Sequence, residues 1–276
     1  MSAWCTPGMY VYLSFLVFAF GACIGSFLNV CIHRIPLDQS VIHPRSHCPR
    51  CSTPIAWFDN LPIISFFALR GRCRHCQQPI SPRYALVEML VGLLFFLVWY
   101  QYGFDIRTPV YWLVIAGLVL GTFVDFEHMI IPDRVSLGGI AAGLLLSFLV
   151  PSLHGQTRMV SGLIDGVTGV LAGSGSLWLV GVLGKMAFKK DAMGLGDVKL
   201  LGAIGAFLGW QAVVFTIMLS SLAGASIGIG LILFGRKEWQ SRLPYGPYLA
   251  LGAIIWILWG FNWWQLYMEW ISGGGL

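Results

Sequence analysis

Two aspartates 72 residues apart are where this sequence offers chemistry: Asp125 in GTFVDFEHMIIPD and Asp197 in DAMGLGDVKL. Each stands at the edge of a long apolar run, where an ionisable group is destabilising unless it has a task. Two carboxylates brought to one place share a proton. One can then deprotonate a water while the other protonates a scissile carbonyl, which is the chemistry of peptide hydrolysis. Gly194 and Gly196 lack side chains, so a substrate backbone can approach Asp197 closely. The plainer use of the same residues is Asp197 as a helix N-cap with glycines supplying the turn. Glycine is common here, at 34 residues, so Gly-x-Gly-Asp decides little alone. Its weight comes from Asp125 at the same depth.

Lys199 follows Asp197 by two residues. It serves either as a snorkelling anchor at the interface or as a cation favouring ionised Asp197, helped by the positive helix N-terminus. Asp125 lies at a negative helix C-terminus near Glu127. This assigns the ionised role to Asp197 and the protonated role to Asp125, within a coupled pair. Glu88, in RYALVEMLVGLLF, is either an amine-binding or second-reaction residue or a buried glutamate with a local partner. Glu88, Gly194, Gly196 and Lys199 are therefore candidate substrate- or cofactor-binding residues. The remaining acids read as loop, terminal or capping residues, with Asp133 as the N-cap of a following helix, except Asp165, a turn inside the fifth span, which reads as an interfacial or helix-packing residue.

Four of the seven cysteines form a second constellation, CPRC (Cys48, Cys51) and CRHC (Cys73, Cys76), with 21 residues between the pairs. Two residues between thiolates let both reach one ion, and two such turns complete a tetrahedral zinc site. A site with four thiolates is closed, so the ion would organise the loop and leave water unactivated. Disulfides suit an oxidising compartment, and a redox CxxC usually comes singly. His47 and His75 beside the cysteines read as ordinary loop residues. Between the pairs, IAWFDNLPIISFFALRG is apolar. It fits the membrane surface, a cover for the zinc module or a small local core.

The elements that must position these groups follow from composition. The chain has 276 residues, 57% hydrophobic and 11% charged, with mean hydropathy +0.76. Soluble domains carry about 25% charged residues, so this chain belongs in a membrane. Strand-like alternation is absent, and backbone in lipid must bond internally, so the spans are helices. Eight are predicted: Tyr10–Ile32, Tyr84–Tyr102, Val110–Val124, Val135–Val150, Val160–Phe188, Leu195–Gly209, Gln211–Phe234 and Tyr248–Trp264. No basic residue precedes the first, which reads as a retained helix.

With residues 33–83 in the cytoplasm, 15 of the 17 Lys and Arg fall on the cytoplasmic side and only Arg107 and Arg158 outside. That satisfies the positive-inside rule and puts both termini outside and the cysteine loop in a reducing compartment. The net charge of +5 reflects this topology and does not indicate nucleic-acid binding. The predicted architecture is an all-α polytopic membrane protein of about eight helices with one cytoplasmic insertion. It divides into a first helix (1–32), a zinc-binding loop domain (33–83) and a membrane domain carrying the aspartates (84–276).

GACIGSFLNVCIHRIP, the two CxxC pairs, RYALVEMLVG, DFEHMIIPD and GLGDVK together resemble the type IV prepilin peptidases, the leader peptidase/N-methyltransferases of pilus and type II secretion systems. RYALVE departs from the family in having Ala85 where proline is expected. The resemblance implies a bacterial inner-membrane aspartic endopeptidase of the Gly-x-Gly-Asp kind, with Asp125 and Asp197 at the catalytic positions. The implied substrates are prepilins or pseudopilins with a short basic leader, cleaved after a glycine at the cytoplasmic face. The new N-terminal residue is then methylated from S-adenosylmethionine, with the cysteine loop associated with that half. A transporter or proton-coupled channel is the competing reading. It expects carboxylates near mid-membrane, whereas the strongest acids here lie at one face. A docking scaffold gives no reason for two aspartates at equal depth.

Overall fold

The computed structural model describes residues 7–189, 193–233 and 244–271. Among these the regular structure is helical, and six helices are long and apolar enough to cross a membrane. Lys190, Arg236, Lys237 and Arg242 of the charge argument lie outside the described residues, as do Cys5, Asp191 and Glu238. The chain forms two compact units, Met1–Leu120 and Gly121–Leu276.

The first unit is built on α1 (Pro7–Arg34) and α3 (Arg83–Tyr102). These pack at backbone contact: a Cβ on Gly25 would lie 2.7 Å from the Cα of Glu88, and one on Gly21 2.9 Å from that of Gly92. Small residues allow this close approach, which substitutes for a hydrophobic driving force inside lipid. The intervening loop holds one short helix, α2 (Ile64–Ala68). Three bonds tie the loop to the helices: Arg34, buried at the end of α1, donates to the carbonyls of Ser40 and Pro44, both at 2.9 Å, and the Ile63 N–H donates to Glu88 Oε2 at 2.7 Å. The helix α4 (Arg107–His128) begins in this unit and carries Asp125 near its far end.

In the second unit α5 (Asp133–Leu149), α6 (Met159–Phe188), α7 (Leu195–Leu233) and α8 (Gly246–Ile255) surround a core of α7 residues, Leu200 to Gly209. A π-helical stretch, Trp256–Gly260, leads from α8 into α9 (Phe261–Ile271). α6 and α7 also touch backbone to backbone where Gly169 meets Gly205.

A straight helix of 39 residues would run about 58 Å, nearly twice a bilayer's ~30 Å hydrocarbon core. α7 is interrupted at Gly209, whose φ of 81° and ψ of 174° leave the helical region. This is where the sequence divides two spans, and only glycine takes this conformation without strain. The break is matched by a side-chain network. The buried Ser147 hydroxyl donates to the Ala206 carbonyl at 2.7 Å, a group near the interruption, and His154 Nε2 meets the same hydroxyl at 2.8 Å.

Ser147→Ala should destabilise the fold by about 1–3 kcal/mol, the range for orphaning a buried carbonyl, visible as a lower midpoint in detergent unfolding. An unchanged midpoint would remove Ser147 from this role. Burial pushes the His154 imidazole down. Below about pH 6.5 the unfolded chain therefore protonates more readily than the folded one. Stability is full above that pH and declines as acidification proceeds toward the folded value.

Asp133 departs from its expected place. α5 begins at Asp133 itself, after Pro132, and no side-chain cap bond is made there. The carboxylate instead receives Lys199.

Candidate active site

Asp125 lies one turn inside α4, because the helix continues past the expected end at Val124 to His128. Asp197 is the third residue of α7, in its first turn and past the N-cap position. Asp125 is buried, with 6% exposure, and Asp197 is half-buried. Gly246, which bonds Asp125, and Gly196, the neighbour of Asp197, both border Ile131, so the two acids stand around one residue. Folding thus brings together two residues 72 apart in the chain, both within the second unit.

Two residues that the sequence argument did not single out complete the surroundings. The Gly246 N–H, at the start of α8, donates to Asp125 Oδ2 at 3.1 Å. A Cβ on Gly246 would lie 2.8 Å from that oxygen, so any other residue would displace the carboxylate. Ile131, in the link after α4, lies 3.2 Å from the position a Gly246 Cβ would take and 3.2 Å from that of a Gly196 Cβ. It is an apolar wedge between the backbone segments that flank the two acids. The sequence signal was the Gly246-Pro247 pair opening an apolar run, a pattern that also marks any helix start.

The other predicted residues separate. Gly194 borders Asp197, since a Cβ there would be 3.1 Å from Asp197 Oδ2. Gly196 faces Ile131 instead. Lys199 Nζ bonds Asp133 Oδ1 at 2.7 Å, joining α7 to the start of α5. Of the two roles open to Lys199, this contact leaves the ammonium with Asp133 and not with Asp197, while the Gly246 backbone donates to Asp125. Glu88 is in the first unit and anchors the loop through Ile63, whose φ of 64° is held in the left-handed half of backbone space.

The cysteine cluster is also in the first unit. The Sγ atoms of Cys48, Cys51, Cys73 and Cys76 all lie within 4.8 Å of one another, with Cys48 and Cys76 at 3.9 Å. A tetrahedron with ~2.3 Å metal–sulfur bonds has edges of ~3.8 Å, so the donor set fits one zinc-sized ion. The two halves repeat each other at an offset of 25 residues, SHCPRCSTPI against GRCRHCQQPI. In each, the first cysteine's N–H bonds the carbonyl five residues on (Cys48 to Thr53 at 3.0 Å, Cys73 to Gln78 at 2.9 Å). In each, the residue after the second cysteine has positive φ, Ser52 at 56° and Gln77 at 57°.

Bonds from Thr53 pull the Cys51 thiol down to about 6. At Cys76 the backbone of Gln78 acts in the same direction, but desolvation and the neighbouring thiols outweigh it and push that thiol up to about 11. Four thiols this close do not all ionise by themselves; a divalent cation resolves the conflict.

Residues 19–102 match the family described as Bacterial Peptidase A24 N-terminal domain, and residues 112–229 the Type IV leader peptidase family. Three curated relatives carry the name Prepilin leader peptidase/N-methyltransferase. The Aeromonas hydrophila protein is 42% identical over 275 residues, covering 91% of this chain and 92% of its own. The Aeromonas salmonicida protein is 40% identical over 279 residues, covering 91% and 92%. The Pseudomonas aeruginosa protein is 33% identical over 272 residues, covering 90% and 91%. No solved structure matches the chain.

Proposed function

Because the chain belongs to the type IV leader peptidase family, we propose that Asp125 and Asp197 are the carboxylate pair with which it cuts prepilin leaders. The activity itself follows from membership: it is a membrane enzyme that removes the leader of prepilins or pseudopilins and N-methylates the new terminus. Relatives with that one name cover nearly the whole chain, which leaves the transporter reading without support.

The observation that carries the assignment is that the backbone beside Asp125 and the backbone beside Asp197, 72 residues apart in sequence, both border Ile131. Two carboxylates that meet at one site share a proton. The ionised member takes a proton from water, whose oxygen attacks the scissile carbonyl of the leader's last residue. The protonated member gives its proton to the developing oxyanion. Collapse of the tetrahedral intermediate breaks the C–N bond; the proton taken from water passes to the leaving amine, and the proton lent to the oxyanion returns to the carboxylate that gave it. Gly246 holds Asp125 in place through its N–H, and Gly194 leaves Asp197 open to a substrate backbone.

S-adenosylmethionine supplies the methyl group in the second reaction. The loop 33–83 is the part of the chain we associate with that half, and zinc is the ion we assign to its four cysteines. The four S donors form a closed site that organises the loop.

We take the chain to have eight spans, counting α1, α5 and the two halves of α7. The loop 33–83 is then cytoplasmic and both termini are periplasmic in a bacterial inner membrane. Alkaline phosphatase fused after Leu153 should be active and after Pro79 inactive; the reverse pattern ends this topology.

The decisive assay supplies the purified protein with a prepilin in vesicles and follows cleavage and terminal methylation separately by mass spectrometry. A protein that binds prepilin without cutting it would defeat the assignment. In the same assay Gly246→Ala should lower kcat for cleavage by about 10- to 100-fold with little change in KM, since a displacement near 1 Å costs rates of that order. Unaltered kcat would show that Asp125 does not depend on this contact.

A further inference from the structure

Between Ile35 and Pro82 only Cys48 and Ser65 are buried, so the loop has no apolar core of its own. Its polarity runs the other way. Ser65 points inward and donates its hydroxyl to the Phe58 carbonyl at 3.1 Å. Ile64 and Phe67, three residues apart in α2, are 66% and 64% exposed and share one face of that helix. Leu61 in the turn before it and Trp57 are 45% and 80% exposed and continue the apolar stripe along the sequence.

One bond sets the height of this stripe. Ile63, in its middle, donates to Glu88, which lies five residues inside the start of α3 at Arg83. Five residues of helix are about 7.5 Å. Amphipathic elements lying in a membrane surface bury their apolar face by about 5–10 Å. The residues that follow supply the matching charge: Arg70, Arg72 and Arg74 are exposed. Arg74 is held by Asp59 through bonds of 2.7 and 2.6 Å and lies over the Phe58 ring at 5.5 Å, which fixes the charged edge against the apolar one.

We infer that residues 57–67 are an interfacial anchor. The stripe of Leu61, Ile64 and Phe67, with Trp57, inserts into the leaflet around the C-terminal end of α1 and the N-terminal end of α3. The exposed Arg70 and Arg72 meet anionic phospholipid headgroups. The loop is thus pinned to the membrane at two levels, through Glu88 and through lipid. The burial that the segment does not obtain from protein it obtains from acyl chains.

The test uses the intact, metal-loaded protein in phosphatidylcholine vesicles with and without phosphatidylglycerol. A lipid-soluble diazirine is photolysed and the labelled residues are mapped by mass spectrometry. Labelling of residues 61–67 is expected to exceed that of the Cys48–Ser52 segment at least about fivefold, as for any element inserted below the headgroups. It should rise further with phosphatidylglycerol and be independent of the protein-to-lipid ratio. An unlabelled stripe in a sample where the lipid-exposed Leu93 is labelled would overturn the inference. So would labelling that falls as protein becomes more concentrated, since a second copy would then cover this face.

Discussion

Asp197→Ala and Asp125→Ala are each expected to abolish prepilin cleavage, by roughly 10³-fold or more, while methylation of an already processed pilin stays within about twofold of the parent. The magnitude follows from the division of labour. Removing one carboxylate deprives the reaction of either its base or its acid, and the survivor cannot perform both at once. Asn at either position should be as inactive as Ala, because the amide keeps the shape and loses the transferable proton. The burial of Asp125 and the half-burial of Asp197 make collapse of the fold a competing explanation for lost activity. Retained methylation of processed pilin excludes it. Full cleavage by Asp197→Ala would falsify the catalytic assignment. Loss of both activities in either variant would instead mark that residue as structural.

Much of the scaffold was legible in advance because lipid imposes one rule on every span. Most helix boundaries lie within a few residues of the predicted ones, the last span excepted, which runs to Ile271 where Trp264 was the predicted end; the interruption at Gly209 falls where one apolar run was divided into two. The bond to Asp125 was hidden. Gly246 acts through a backbone N–H and through the absence of a side chain, and neither leaves a mark on a chain with 34 glycines. The pairing of Lys199 with Asp133 was hidden for another reason. Sequence distance favours Asp197, two residues away, yet the turn of α7 aims the ammonium at the first residue of α5, 66 residues away. Two signals were present and went unread. Gly21-Ala-Cys-Ile-Gly25 has the spacing of a close helix crossing, which α1 makes with α3. The matching decapeptides around the cysteine pairs announce two similar turns, a stronger indication of one shared ion than the cysteine spacing alone.

Replacing Cys48 and Cys51 together by serine, or stripping the metal with a chelator, should disorder the loop and remove methylation before it touches cleavage. The loop cannot hold itself together by burial, since Cys48 and Ser65 are its only buried residues. Small folds without a core need a staple, and structural zinc supplies about 10–16 kcal/mol in isolated modules. Without it, the backbone bonds of the two turns remain as weak local contacts. Hydrogen exchange across residues 46–80 should therefore accelerate by orders of magnitude, and bound zinc should fall from about one per chain to none. Cleavage should persist at a reduced level, because Asp125 and Asp197 belong to the other unit of the chain. Parent protein that carries no zinc, with its cysteines in disulfides, would refute the metal assignment. Loss of zinc with unchanged exchange would keep the ion and remove its organising role. The Glu88–Ile63 bond offers an internal control: Glu88→Gln leaves the thiolates intact, so zinc content should hold while exchange rises only around residues 61–67.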